Sequence, residues 1–216
     1  MKAVIFDMDG VLFDTEKLAV KCWDTIGVEV GLGKVGYMVY KTLGRTQQES
    51  VKIFEKEFGS KFNNGIFQAH YKAYLDEYYK RNPVPVKKGV LEILTFLKEN
   101  GYKTAVASSS SRESVFHHLR DAGIENYFDS VICGDMIKKS KPDPDIYLAA
   151  ADSLSVMPCD CYAVEDSQSG LYSAHNAGMT VVYIPDLYIA DDKTKEIIDL
   201  EFDTLTQFKN YLKEKG

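Results

Sequence analysis

The sequence predicts an α/β protein: a three-layer core around a parallel sheet, interrupted near its start by an all-α insert. Three observations predict it. Short apolar runs of β-favouring type recur at Ala3–Phe6, Lys103–Ser109, Ser130–Asp135, Cys161–Glu165 and Met179–Pro185, as buried parallel strands do. Helix-like segments separate the later runs, and strand–helix alternation implies a parallel sheet with right-handed crossovers. From Thr15 to about Asn82 the strand-like runs vanish. The expected division is therefore a core of residues 1–14 and 84–216 and a helical insert of residues 15–83.

Taken in order, Ala3–Phe6 is the first strand, and it ends in Asp7-Met8-Asp9-Gly10-Val11. In the insert, Leu18, Cys22 and Ile26 share one helical face, with Ala19 and Trp23 beside them and Gly31 as a stop. Thr46-Gln47-Gln48-Glu49 is a capping box opening a helix that carries Val51, Phe54 and Phe58 and stops at Gly59. Phe67, Tyr71, Tyr74 and Tyr78 mark a third helix that ends before Pro83. Its aromatic stripe, like Trp23, reads as the insert's own core. The crossings near Asp14-Thr15 and Pro83-Val84-Pro85 are the expected hinges. Back in the core, the strand from Lys103 ends at Ser108 and Ser109, and Ser110-Ser111-Arg112-Glu113 reads as a capping box. The strand from Cys161 ends in adjacent carboxylates, Glu165 and Asp166, and the tail after Pro185 shows no clear pattern.

Composition sets the outer limits. The chain is 216 residues long, 45% apolar and 27% charged, with a net charge of −6. That balance is ordinary for a soluble globular protein and argues against a nucleic-acid or anionic-membrane surface. No stretch approaches membrane-spanning length, and the first residues read as strand, not signal peptide. Cys22, Cys133, Cys159 and Cys161 contain no Cys-x-x-Cys; reduced thiols in a cytoplasmic monomer are expected. His70, His117, His118 and His175 lack metal-ligand spacing and are expected to be structural or superficial.

Four chemistry-bearing sites fall at strand ends or helix starts, in chain order: Asp7 and Asp9, Ser108, Lys141, then Glu165 and Asp166. Open α/β sheets bind ligands at the carboxyl ends of their strands. A carboxylate pair there, turned by Gly10, suits a metal and a nucleophile, and a helix start favours an anion. With Asp7-Met8-Asp9-Gly10-Val11 as first motif, Ser108 as second, Lys141-Pro142-Asp143-Pro144 as third and Glu165-Asp166-Ser167-Gln168-Ser169-Gly170 as fourth, the chain resembles the haloacid dehalogenase superfamily over almost its whole length, its phosphatase and phosphomutase branch above all.

That resemblance implies a five-stranded Rossmann-like core with the first strand central, and a helical cap that closes over the site. It implies a magnesium-dependent phosphatase acting on a small phosphate monoester, with a sugar phosphate and a nucleotide among the candidate metabolites. Asp7 is then nucleophile and metal ligand, forming an aspartyl phosphate; Asp9 is general acid, then base, and ligates the metal through its carbonyl. Ser108, the Ser109 amide and Lys141 bind phosphoryl oxygens, and Glu165 and Asp166 complete the metal shell. The loop Gly44-Arg45-Thr46-Gln47 resembles the cap's specificity loop, where Arg45 would meet a second phosphate or a carboxylate. Where β-phosphoglucomutase-like members carry a histidine and an arginine, this chain has Ala19 and Gln47. A mutase must grip a bisphosphate, so hydrolysis is favoured over mutase chemistry. A dehalogenase, and a non-catalytic phosphate-binding domain, fit the intact acidic motifs less well.

Overall fold

The computed structural model describes residues 3–43 and 45–215. Its centre is a parallel sheet of β1 (Ala3–Phe6), β2 (Lys103–Ser108), β3 (Ser130–Cys133), β4 (Cys161–Glu165), β5 (Thr180–Tyr183) and β6 (Leu200–Glu201), ordered β3-β2-β1-β4-β5-β6. The expected central place of β1 is met: Ile5 pairs with Ala105 of β2 on one side and with Ala163 of β4 on the other. The sheet has six strands where five were expected. The extra strand is two residues from the patternless tail, too short for any period to show, pairing Leu200 with Val182 of β5.

Alternation along the strands divides the core into two faces. Val4, Phe6, Val106, Val164 and Val182 point to one side, where they meet α5 (Val90–Glu99), α6 (Arg112–Asp121) and α10 (Leu205–Lys215) through Ile93, Leu119 and Phe208. Ala3, Ile5, Ala105, Ala107 and Ala163 point to the other, against α7 (Asp145–Ser153) and α8 (Gln168–Asn176). All of these strand residues are fully buried, and each large one contributes about 1.5–3 kcal/mol by leaving water. Helices on both faces explain why the strands read as unbroken apolar runs.

The insert holds α1 (Thr15–Glu29), α2 (Met38–Thr42), α3 (Gln47–Phe58) and α4 (Asn64–Tyr79). The five residues of α2 were invisible to periodicity; Met38 and Val39 are buried. The Thr46–Glu49 capping box is present in both directions. Cys22, Ile26, Met38, Phe54 and Phe67 form a core of the insert's own. Its two connections run side by side: Asp14 N–H donates to Pro85 O at 2.8 Å and Lys87 N–H to Leu12 O at 2.9 Å. A last short helix, α9 (Asp192–Lys195), precedes β6. All four cysteines are free, with Cys22, Cys133 and Cys161 buried. Among the described residues no helix is long and apolar enough to cross a membrane.

Candidate active site

The chain leaves β1 and β4 side by side, at the point where the strand order turns from one flank of the sheet to the other. Such a switch point opens a crevice at the strand ends. Asp7 sits there, its N–H held by Val164 O at 2.9 Å. Gly10 turns the chain at φ 83°, a region glycine enters without strain. A Cβ at Gly10 would also collide with the Asp166 carboxylate. Both oxygens of Asp9 are tethered: Thr15 Oγ1 donates to Oδ1 at 2.6 Å and Ser110 Oγ to Oδ2 at 2.8 Å. One tether belongs to the insert and the other to the core.

Lys141 lies beneath Asp7, 1% exposed. Its ammonium donates to Asp7 Oδ1 at 2.5 Å, Glu165 Oε1 at 2.6 Å and Ala107 O at 3.0 Å, so all three N–H groups are used. Burial alone would lower its pKa, but the Asp7 and Glu165 carboxylates outweigh burial and hold it above the ordinary lysine value. Glu165 is saturated: Oε1 also accepts from Tyr147 OH at 2.7 Å, and Oε2 accepts from Asp166 N–H, Ser167 N–H and Ser167 Oγ. Gly170 leaves room for this carboxylate, which a Cβ there would strike.

Asp166 is the opposite case. It is 1% exposed, and among the described residues neither oxygen has a hydrogen-bond partner. Burial, then Glu16, Asp7 and Glu165, push its pKa well above the carboxylate range. Oxygens of Asp7, Glu165 and Asp166 lie within 4.8 Å of one another, as do those of Glu16, Asp166 and Asp186. An orphaned buried carboxylate beside further carboxylates fits a hard divalent cation with oxygen ligands. Asp166 and Asp7 are placed to hold it, while Glu165 is already engaged by Lys141, Tyr147 and main-chain amides.

The same crowding predicts a pH signature. Burial raises Asp7 to about 8, against the pull of Lys141 and with help from Glu165 and Asp9; burial and Asp9 raise Glu16 to about 9. Carboxylates in the unfolded chain titrate near ~4. Between that value and the folded ones, the folded state binds more protons, so stability falls as pH rises across the window. A cation replaces those protons and reverses the trend. In chelator, Tm should therefore drop from about pH 5 to about pH 9, and excess magnesium should raise Tm more at the upper end. Equal magnesium shifts at both pH values would contradict this account.

Above these groups lies a cavity of about 360 Å³ between core and insert. Asp7, Asp9, Ser109 and Asp166 line it from the core, and Arg45 and Gln47 from the insert. Ser108, Lys141 and Glu165 are absent from its wall and sit behind it, buried. Ser108 Oγ accepts from Ser110 N–H at 3.1 Å. Gly44 lies outside the described residues.

Sequence reasoning missed five lining or adjoining residues. Thr15 and Ser110 hold Asp9, and Glu16 and Asp186 face Asp166. The fifth, His118, was expected to be structural or superficial, yet it is buried and lines the cavity. Its Nδ1 is buried without a hydrogen-bond partner among the described residues, and burial lowers its pKa. Only the acidity of Glu16 within an otherwise apolar helix face was a readable signal. The aromatic stripe packs as expected, with Phe67 in the insert core and Tyr71, Tyr74 and Trp23 against it; Tyr71 and Trp23 also reach the cavity wall, and so does Tyr79, outside the stripe. The capping box expected from Ser110 to Glu113 is replaced by a simple cap one residue on. Ser111 caps α6, accepting from Ser114 N–H, because Ser110 spends its hydroxyl on Asp9.

Known proteins resemble this chain in sequence and in fold. A phosphorylated carbohydrates phosphatase of Thermotoga maritima is 35% identical over 85% of this chain and 84% of its own length. A β-phosphoglucomutase of Bacillus subtilis is 32% identical over 84% of this chain and 82% of its own. The crystal structure of a β-phosphoglucomutase from Clostridium difficile superposes with a TM-score of 0.80 at 26% identity, covering 100% of this chain and 96% of that one. CbbY from Rhodobacter sphaeroides, in complex with phosphate, shares the fold with a TM-score of 0.81 over 96% of each chain. Residues 4–184 match the family described as haloacid dehalogenase-like hydrolases. By sequence and by structure, then, the chain belongs to the haloacid dehalogenase-like hydrolase family.

Proposed function

We propose that this enzyme is a magnesium-dependent phosphatase that hydrolyses a small phosphate monoester through an aspartyl phosphate on Asp7. The observation that carries the reading is the buried Asp7–Lys141–Glu165 chain with the unpartnered Asp166 beside it, at the floor of a cavity. A carboxylate and a phosphate dianion repel each other unless cations intervene. Lys141 supplies one positive charge and fixes one Asp7 oxygen, leaving the other to attack. Magnesium held by Asp7, Asp166 and the Asp9 carbonyl would supply two more charges.

In the first half-reaction an Asp7 oxygen forms a bond to phosphorus as the ester P–O bond breaks, and Asp9 gives its proton to the departing alkoxide. In the second, water attacks phosphorus, Asp9 takes the proton, and the bond to Asp7 breaks, releasing phosphate. Thr15 and Ser110 fix the Asp9 carboxyl group, and that orientation would have to present it to the leaving oxygen. Because Thr15 opens α1, movement of the insert would reposition this acid, which couples closure to proton transfer.

Mutase chemistry is the second reading, favoured by the Bacillus subtilis relative's name. The cavity wall supports hydrolysis instead: Ala19 and Gln47 line it, and neither is cationic. Phosphorus NMR of β-glucose 1-phosphate with enzyme, magnesium and a trace of glucose 1,6-bisphosphate decides. Inorganic phosphate as the main product is expected. Rapid conversion to glucose 6-phosphate with little free phosphate would overturn the phosphatase reading.

A further inference from the structure

We infer that the leaving group is a neutral, hydroxylated ring, read by the phenol groups of Tyr71 and Tyr79; the inference rests on the phosphatase reading above. Both tyrosines come from α4 and line the cavity that holds Asp7 and Asp9. Their rings are fixed by packing. Tyr71 meets the Trp23 indole at 6.3 Å, and Tyr79 meets His118 at 5.7 Å and His117 at 5.9 Å. Yet among the described residues neither phenol oxygen hydrogen-bonds to anything. A rigid ring with an unspent hydroxyl is preorganised to bind.

Charge narrows the ligand. Burial, with a further push from Asp9, keeps both phenols protonated, so they are neutral donors and acceptors. Among the described residues lining the cavity, Arg45 is the single lysine or arginine, and it is exposed. Glu16 adds a buried carboxylate on the same wall. A second phosphate or a carboxylate deep in the leaving group would meet acidic side chains and no lysine or arginine. Hydroxyls would meet Tyr71, Tyr79 and Gln68, while Leu18, Ala19 and Leu75 cover the ring's C–H face. This is the chemistry of an uncharged sugar or polyol monophosphate.

Tyr71→Phe and Tyr79→Phe remove the hydroxyl and keep the ring. Steady-state kcat/KM would be measured with magnesium on glucose 1-phosphate, glucose 6-phosphate, phosphoglycolate, fructose 1,6-bisphosphate and p-nitrophenyl phosphate. Wild-type enzyme should prefer the neutral sugar monophosphates to the bisphosphate and the carboxylate. Each variant should lose about three- to tenfold on the sugar phosphates, the worth of one hydrogen bond, and less than about twofold on the aryl ester. Equal losses on sugar and aryl esters, or a wild-type preference for the doubly anionic substrates, would overturn the inference while leaving the phosphatase reading intact. No phosphate release from any substrate, the aryl ester included, would overturn the reading on which it rests.

Discussion

Asp7→Asn should reduce phosphate release by on the order of 10⁴–10⁶-fold, as loss of a covalent nucleophile does. Asparagine keeps the shape and can still accept from Lys141, but its amide cannot attack phosphorus. Mass spectrometry of acid-quenched enzyme should find a phosphoryl group on Asp7 in the parent and none in the variant. The folded state should not suffer: Asp7 is ionised only against burial, Glu165 and Asp9, so its neutral isostere should melt in chelator no lower than the parent. Asp9→Asn makes the contrast. It retains the nucleophile and should lose about 10²–10⁴-fold, less on an aryl phosphate whose leaving group needs little protonation. An Asp7→Asn enzyme within tenfold of the parent rate would refute the mechanism.

Lys141→Met should be the most destabilising single change at the site. The ammonium separates Asp7 from Glu165 at 2.5 Å and 2.6 Å, in a place where its own side chain is 0% exposed. Removing one partner of a buried ionic group leaves uncompensated charge and costs about 3–5 kcal/mol, a fall in Tm of about 10 °C for a chain of this size. Hydrolysis should drop by on the order of 10³-fold, because the phosphoryl group loses a fixed positive charge and Asp7 becomes harder to ionise. Adding Glu165→Gln removes one of the stranded charges and preserves an acceptor for Tyr147, so the double variant should regain part of the lost Tm without regaining activity. A Lys141→Met protein melting within about 2 °C of the parent would show that the ion pairs contribute little to folding.

Much of this arrangement is written locally. Strand ends, the Thr46–Glu49 cap and the two catalytic-type carboxylate pairs depend on neighbours a few residues apart, so the sequence displays them. Asp166 as the open carboxylate and Glu165 as the saturated one could not be told apart from two adjacent acidic letters. The difference arises from Lys141, Tyr147 and the room left by Gly170. Ser110 was hidden for the same reason, since it reaches Asp9 from a distant segment; Thr15 is near in sequence, but only the turn at Gly10 brings it back to Asp9. Ser108 shows the converse. Its motif position was legible, but its depth was not, and it is Ser109 and Ser110 that reach the cavity wall. The short helix α2 and strand β6 carry too few residues for any period, and exist because tertiary contacts hold them.

The place of β1 has a consequence for how the chain acquires its structure. This strand precedes both of its neighbours in the sheet, Lys103–Ser108 and Cys161–Glu165. The intervening helices have a nucleus of their own and can form from near contacts, whereas β1 must wait for partners whose closure entropy is large and slow to overcome. Asp7 meets Lys141 and Glu165 only when β4 docks. Until then Asp7, the nucleophile of the proposed mechanism, would lack the carboxylates that gather beside it in the folded chain. Catalytic competence should thus arrive with the latest long-range contacts, those that bring Lys141 and Glu165 to Asp7.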